Sequence, residues 1–219
     1  MVPARPLPSF LVNRYLGWKA VQFAENRAWF RRLAEEGQHP RGMIVACCDS
    51  RIDIGGIFHA DPGEFFMHRN IANLIPPYRP DGDLHGTSAA VEFAVRVLRV
   101  PHVLVVGHSQ CGGVAACHDM CCGMAPELER ETSFIGRWMG LLRPAFEALS
   151  LPEEDRAARL EALGRAGVVA SLQNLAGFPF VARAIEAGEL ALHGCYLDIG
   201  SGELEVLDPE NGRFVALSR

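Results

Sequence analysis

The sequence predicts an α/β domain with a mainly parallel central β-sheet flanked by helices, and three observations carry that expectation. Two short apolar, partly β-branched runs, Met43-Ile44-Val45-Ala46 and Val103-Leu104-Val105-Val106, read as strands buried on both faces, as parallel strands are. Helical patterns alternate with strand candidates along the chain. Each apolar run leads directly into a chemically capable cluster, Cys47-Cys48-Asp49-Ser50-Arg51 after the first and Gly107-His108-Ser109-Gln110-Cys111-Gly112-Gly113 after the second. Both clusters therefore sit at strand C-terminal ends, where open parallel sheets form their ligand crevices.

The elements follow in order. Phe10, Tyr15, Trp18, Val21, Trp29, Phe30 and Leu33 recur at near-helical spacing, so one or two amphipathic helices form an N-terminal arm over residues 1–36. Gly37-Gln38-His39-Pro40 ends it. After the first strand and the Asp61-Pro62-Gly63 turn, a strand is expected from Glu64 to His68, and Pro76 through Gly86 reads as loop. Thr87 or Ser88 is expected to cap a helix reaching about Leu98, with Ala90, Phe93, Ala94 and Val97 on one face. A helix should start near Gly112, and Glu127 to Ala148 and Glu153 to Arg165 pattern as two more. Ser171 to Ala187 forms another, which Pro179 should kink or split. Leu190 to Ile199 and Glu203 to Leu207 form a strand pair across Gly200-Ser201-Gly202.

A chain of 219 residues with 49% hydrophobic residues suits one sizeable core, so residues 1–219 are read as one domain. A net charge of −5 with no Lys/Arg-rich run offers no footprint for nucleic acid or a membrane surface. No run approaches the roughly 18 apolar residues of a transmembrane helix, and the Pro-rich start lacks a signal-peptide apolar region, so a cytoplasmic location is expected. The seven cysteines are odd in number and most lie in the two strand-end regions rather than spread as staples, which favours metal binding or catalysis in a reducing compartment over a disulfide framework.

Zinc takes Cys and His ligands in a tetrahedron, and a catalytic zinc keeps three protein ligands with one exchangeable position. Cys47, His108 and Cys111 supply three. If the extended conformation persists past the strand end, Cys47, Asp49 and Arg51 share one side and Cys48 points away, so Cys47 is the expected ligand. Arg51 would keep Asp49 ionised, and amides near Gly112 would meet developing negative charge. Cys117, His118, Cys121 and Cys122 lie at helical spacings, but no matching ligand cluster accompanies them, and a second metal is not expected. A Cys47–Cys48 disulfide formed on oxidation would remove a ligand.

The residues Gly37-Gln38, Cys47-x-Asp49-Ser50-Arg51, Pro62-Gly63-Glu64, Arg69-Asn70-Ile71-Ala72-Asn73, Pro76-Pro77-Tyr78 and Gly107-His108-Ser109-x-Cys111-Gly112-Gly113 resemble those of the β-class carbonic anhydrases. The resemblance runs from about Gly37 through Asp198. It implies Zn2+ on Cys47, His108 and Cys111, a catalytic dyad of Asp49 and Arg51, and attack of zinc hydroxide on carbon dioxide to give bicarbonate. It further implies that Gln38 hydrogen-bonds substrate, as in the plant-like branch, that Phe66, Ile71 and Phe93 line the carbon dioxide pocket, and that the Gly112 amide contacts substrate. The family's pocket lies at a dimer interface, so a homodimer or higher homo-oligomer is expected, with the N-terminal helices packing on a partner subunit. The branch regulated by bicarbonate at a separate site has a Trp and a Tyr where this chain has Ile44 and Leu197, although Arg69 remains, so that regulation is expected to be absent.

No proton shuttle is singled out, His39, His59, His68 and His85 being candidates by type alone. Two other functions fit the same residues: a hydrolase of a sulfur analogue such as carbon disulfide, and a non-enzymatic zinc or thiol redox sensor.

Overall fold

Six strands, β1 (Gly42–Cys47), β2 (Phe65–Asn70), β3 (His102–His108), β4 (Ala191–Leu197), β5 (Leu204–Leu207) and β6 (Phe214–Ala216), form one sheet in the order β2-β1-β3-β4-β5-β6. The computed structural model describes residues 4–81, 85–152 and 155–217. β2, β1, β3 and β4 are parallel, while β5 and β6 return antiparallel to form one edge. The α/β expectation holds. β2 begins and ends later than the expected Glu64 to His68, and the short β6 has no counterpart in the sequence reading.

The sheet is apolar on both faces because side chains alternate. Met43 and Val45 of β1, Val103 and Val105 of β3 and Tyr196 of β4 enter one core with Val91, Val168 and Phe178. Ile44, Ala46, Val106, Cys195 and Leu197 enter the other with Ile52, Val114 and Met139.

The chain divides into two compact units, residues up to His39 and residues from Pro40 on. In the first unit α1 (Ser9–Trp18) runs on through a π-helical turn, Lys19–Phe23, to α2 (Arg27–Glu36). Rings pack together at the bend: Trp18 lies 5.5 Å from Phe23 and 5.7 Å from Phe30, and Phe23 stacks on Phe30 at 5.3 Å. Phe10, Tyr15, Leu16 and Val21 remain exposed. Gly37, at φ 78°, ends α2 in a conformation that glycine adopts without strain.

In the second unit a short helix, α3 (Ile54–Ile57), follows the first cluster. α4 (His85–Glu92) starts ahead of the expected cap and continues in a π-helical turn to Val97. Thr87 is no cap, since its hydroxyl meets His68 Nε2 at 3.0 Å and Asn70 Nδ2 at 3.2 Å. α5 (Gly112–Cys121) follows the second cluster. The single helix expected over Glu127 to Ala148 is instead α6 (Phe134–Met139), a 3-10 turn and α7 (Arg143–Glu147). Ser133 accepts from the Gly136 amide and starts α6 late, and Pro144 brings no N–H to the first turn of α7.

α8 (Arg156–Ala176) joins what the sequence reading separates. Glu153, its expected start, lies outside the described residues; the observed cap is Asp155, whose carboxylate accepts from Ala158 N at 3.0 Å. α8 passes unbroken through Gly164 and Gly167 because both are contact positions: a Cβ at Gly164 would stand 2.7 Å from Tyr196 Oη, and one at Gly167 would stand 3.1 Å from Leu142. α8 then turns by 87° into α9 (Pro179–Glu186), so Pro179 splits the expected helix. Among the described residues no single helix is long and apolar enough to cross a membrane.

Two stability predictions follow from this packing. A Cβ at Gly107 would lie 2.7 Å from Val168 and 3.1 Å from Tyr196, whereas one at Gly140 would meet nothing within 4 Å. Gly107→Ala should therefore cost about 1–3 kcal/mol in urea melts, and Gly140→Ala, in helical backbone, should be neutral or stabilising by up to about 1 kcal/mol. Burial, and then the Glu161 carboxylate 3.0 Å from its hydroxyl, hold the Tyr196 phenol far above its ordinary range. Its contribution is thus complete below the unfolded value near pH ~10 and declines as pH rises further, because the unfolded chain ionises first. Melts at pH 9 and 11 should show a steeper loss in the parent chain than in Tyr196→Phe.

Candidate metal centre

β1 and β3 pair in parallel with Ala46 opposite Val106, so Cys47 and Gly107 end level and His108 stands one residue beyond. Cys111 follows as the residue from which α5 departs. Cys47, His108 and Cys111 are all buried, and their donor atoms lie within 4.8 Å of one another. Among the described residues no other group gathers three such donors.

Three features test the fit to zinc. The Cys47 and Cys111 sulfurs are 3.8 Å apart, the edge of about 3.8 Å that two Zn–S bonds of about 2.3 Å make in a tetrahedron. His108 Nδ1 lies 2.8 Å from the Ser109 carbonyl. That contact places the ring proton on Nδ1 and leaves the Nε2 lone pair to a metal. Nε2 itself is buried and has no hydrogen-bond partner, an orphaned polar atom that a metal would satisfy.

Of the two thiols Cys47 ionises first. Its sulfur accepts a hydrogen bond from the Cys111 thiol and another from the Ala72 amide at 3.3 Å, and these outweigh burial. The same bond to Cys47, with burial, keeps the proton on Cys111. Ala72 presents its amide from a left-handed conformation, φ 60°, followed by Asn73 at φ 49°. Gly113 allows α5 to close on this turn, since a Cβ there would lie 2.7 Å from Ile71 Cγ2.

Asp49 and Arg51 pair as expected but by another route. The chain does not stay extended past Cys47: it turns, with Ile52 N bonding to Asp49 O at 3.1 Å. Asp49 Oδ1 accepts from the Arg51 amide at 3.0 Å and from Arg51 Nε at 2.9 Å, while Oδ2 accepts from Nη2 at 2.7 Å. The guanidinium holds the Asp49 carboxyl well below the usual carboxylate range, and Nη2 also donates to Gln110 O at 2.9 Å, tying the two clusters together.

Ile71 and Gly112 stand beside the donor group, on the turn after β2 and at the start of α5. Phe66 and Phe93 pack on each other at 5.7 Å. Phe66 pairs with Met43 whereas Asn70 pairs with Cys47, which sets Phe66 about 13 Å back along β2. Gln38 belongs to the first unit. Cys48 is exposed beside buried Cys47, and the thiol facing Cys47 is that of Cys111. On α5 the Cys117 thiol is pushed up to about 12 by burial, and His118 is engaged with Asp119 at 3.0 Å. His68 is half-buried against Thr87, and the side chain of His85 lies outside the described residues. The contacts made by the Ala72 amide, the Ser109 carbonyl and the Arg69 guanidinium are not expected from the sequence, although all three residues stand in the runs that carry the resemblance.

A family profile described as carbonic anhydrase matches residues 42–204. The chain belongs to the β-class carbonic anhydrases. It is 37% identical over 209 residues to a carbonic anhydrase of Pseudomonas aeruginosa, covering 95% of this chain and 91% of that one. It is 33% identical to carbonic anhydrase 1 of Escherichia coli O157:H7, with the same coverages of 95% and 91%. Among solved structures, the β-carbonic anhydrase CcaA superposes with a TM-score of 0.82 at 27% identity, covering 96% of this chain and 92% of that one. A study of two tetrameric β-carbonic anhydrases from Sordaria macrospora supplies another, with a TM-score of 0.75 at 28% identity, covering 95% and 98%. Family membership and the donor geometry agree on a zinc site at Cys47, His108 and Cys111.

Removing a donor tests the site directly. Cys47→Ser, His108→Ala and Cys111→Ser should each lose zinc on dialysis against a weak chelator, while Cys48→Ser should keep about one zinc per chain, as a mononuclear site requires. Metal analysis of the dialysed proteins gives the answer; loss of zinc from Cys48→Ser alone would reassign the ligand.

Proposed function

We propose that this chain catalyses the reversible hydration of carbon dioxide to bicarbonate and a proton. The observation that carries the reading is the convergence of two thiols and an orphaned imidazole nitrogen beside a bidentate Asp49–Arg51 pair. Zinc, when bound there, supplies the Lewis acidity that makes water a nucleophile near neutral pH.

The protein's own groups do the rest. Arg51 keeps Asp49 ionised, and a carboxylate with about four lone-pair sites retains acceptor capacity to orient the attacking water. Its side chain is 16% exposed, less than the 48% of Arg51, so the carboxylate works in a partly dehydrated setting. The Gly112 amide and its neighbours at the start of α5 meet the negative charge that develops on substrate oxygen. Ile71 offers an apolar wall on this side. Phe66 and Phe93 complete the carbon dioxide pocket from a neighbouring subunit, a reading supported by their distance from Cys47 within one chain. Gln38 hydrogen-bonds substrate, as the resemblance implies.

The assembly is a homodimer or higher homo-oligomer in the cytoplasm, with the helical arm of residues 1–36 packed on a partner and residues 1–219 acting as one functional domain. Support comes from the exposed Phe10, Tyr15, Leu16 and Val21 and from the tetrameric solved relatives. The plant-like branch rests on Gln38, and the absence of bicarbonate regulation on Ile44 and Leu197, both buried core residues. Neither alternative gains support. The relatives are carbonic anhydrases, and a closed structural zinc site in a sensor takes four protein ligands, whereas the donor group here has three.

Stopped-flow hydration by the zinc-loaded protein across mildly acidic to alkaline pH tests the reading. The rate should rise with pH and fall by about 10- to 100-fold in Asp49→Ala. Zinc-replete protein that is inactive at every pH would overturn it.

A further inference from the structure

We propose that Arg69 is a positioning residue that sets the geometry of the Cys47–Asp49–Arg51 segment. The inference rests on the zinc and dyad reading above. Arg69 stands near the end of β2, opposite Ala46. Its guanidinium reaches across to the segment leaving β1 and meets three of its carbonyls: Nε donates to Cys47 O at 2.8 Å, and Nη2 donates to Asp49 O at 2.7 Å and Ile52 O at 3.0 Å.

The three carbonyls belong to a zinc ligand, the catalytic carboxylate residue and a core anchor. Ile52 is 2% exposed, and Cys47 is held at the end of the sheet. Asp49 lies between these fixed points and has little else to hold its backbone: the turn bond from Ile52 N and the Cys48 N to Asn70 O bond at 2.9 Å are its nearest main-chain restraints. Three carbonyl dipoles turned to one spot repel one another unless a cation stands there. A planar guanidinium satisfies them with directed N–H bonds, whereas a Lys ammonium at the same place would supply charge without the fork.

β2 thus acts as a template for the active segment along its final residues. Asn70 O fixes Cys48 N, Arg69 fixes the carbonyls of Cys47, Asp49 and Ile52, and the Ala72 amide fixes the Cys47 sulfur. Arg69 touches neither the donor atoms nor the Asp49 carboxylate. It acts through the backbone that aims them.

The test compares Arg69→Ala and Arg69→Lys with the parent chain in zinc affinity, in the visible spectrum of the cobalt-substituted protein, in the pH profile of kcat/KM and in Tm. Arg69→Ala should lose about 10- to 100-fold in zinc affinity or kcat, with an altered cobalt spectrum and a displaced pH profile. Arg69→Lys should recover only part of the loss. Because Arg69 is exposed over much of its surface, added guanidinium ion should reach the gap and restore Arg69→Ala toward the parent values. Should Arg69→Ala not fold, Arg69→Lys carries the comparison. Variants that lower Tm but keep the parent's zinc affinity, cobalt spectrum and pH profile would reduce Arg69 to a structural role and overturn the inference. A parent chain that binds metal yet hydrates no carbon dioxide would defeat the functional reading instead, while a guanidinium-dependent cobalt spectrum would still uphold the positioning role.

Discussion

The parallel register between β1 and β3 is the constraint on which the rest of the site depends. Cys47 and His108 lie far apart in sequence and come within bonding reach of one ion only because Ala46 pairs with Val106 and both strands stop together. A slip of two residues would keep every side chain on its proper face yet shift the two donors by about 6–7 Å, beyond any shared coordination sphere. Alternation alone therefore cannot specify the site. The close approach of neighbouring side chains to Gly107 and Gly194 helps to do so: Cβ atoms there would meet Val168 and Tyr196 at the first and Leu172, Leu207 and Val168 at the second. α8 and Tyr196 fit over the sheet where those glycines leave room, and the fit is lost in any other register.

On that platform the electrostatics divide into two compartments with little overlap. The donor group is buried, and it handles its own protonation through short contacts: Cys47 draws hydrogen bonds from Cys111 and Ala72, and His108 spends its Nδ1 proton on Ser109 O. The dyad lies nearer solvent, and its partners are two residues apart, so the pairing is built into a local turn rather than into the sheet. A surface ion pair of two flexible side chains is worth little. Here the Asp49 carboxylate is bound by backbone as well as by guanidinium, and Arg51 is bound in turn to Gln110 O, which removes most of that freedom.

The donors were legible in the sequence because zinc demands particular residue types and because buried parallel strands advertise their ends. Cys47, His108, Cys111, Asp49 and Arg51 all stand in two runs that a reader meets as runs. What was not legible depends on contacts distant in sequence. Thr87 patterns as a helix cap, yet its hydroxyl is claimed by His68 and Asn70 of β2. The pattern breaks the helix between Arg165 and Ser171, yet α8 runs through, meeting Tyr196 at Gly164 and Leu142 at Gly167. The side-by-side placement of Cys47, Asp49 and Arg51 was expected from an extended chain, and the structure reaches the Asp49–Arg51 pair through a turn instead, because a two-residue carboxylate-to-amide bond is available to any Asp placed at a strand end.

The apolar side of the site follows a different logic from the polar side. Carbon dioxide has no charge and offers only weak acceptor oxygens, so it is held chiefly by apolar walls, and such walls must be dry to be useful. Within one chain the donors gather at the strand ends with Ile71 beside them, while the Phe66–Phe93 pair lies well back along β2, with Phe93 41% exposed. An aromatic pair remote from its own metal centre, with Phe93 exposed and Phe66 partly buried, is poorly placed to exclude water from that centre. On the proposed two-subunit reading it serves the neighbouring centre and is buried in doing so. Assembly and catalysis are then one requirement: the chain that supplies the polar half of a pocket borrows the apolar half, and a monomer would keep its zinc ligands and its dyad while losing the dry wall against which the substrate is held.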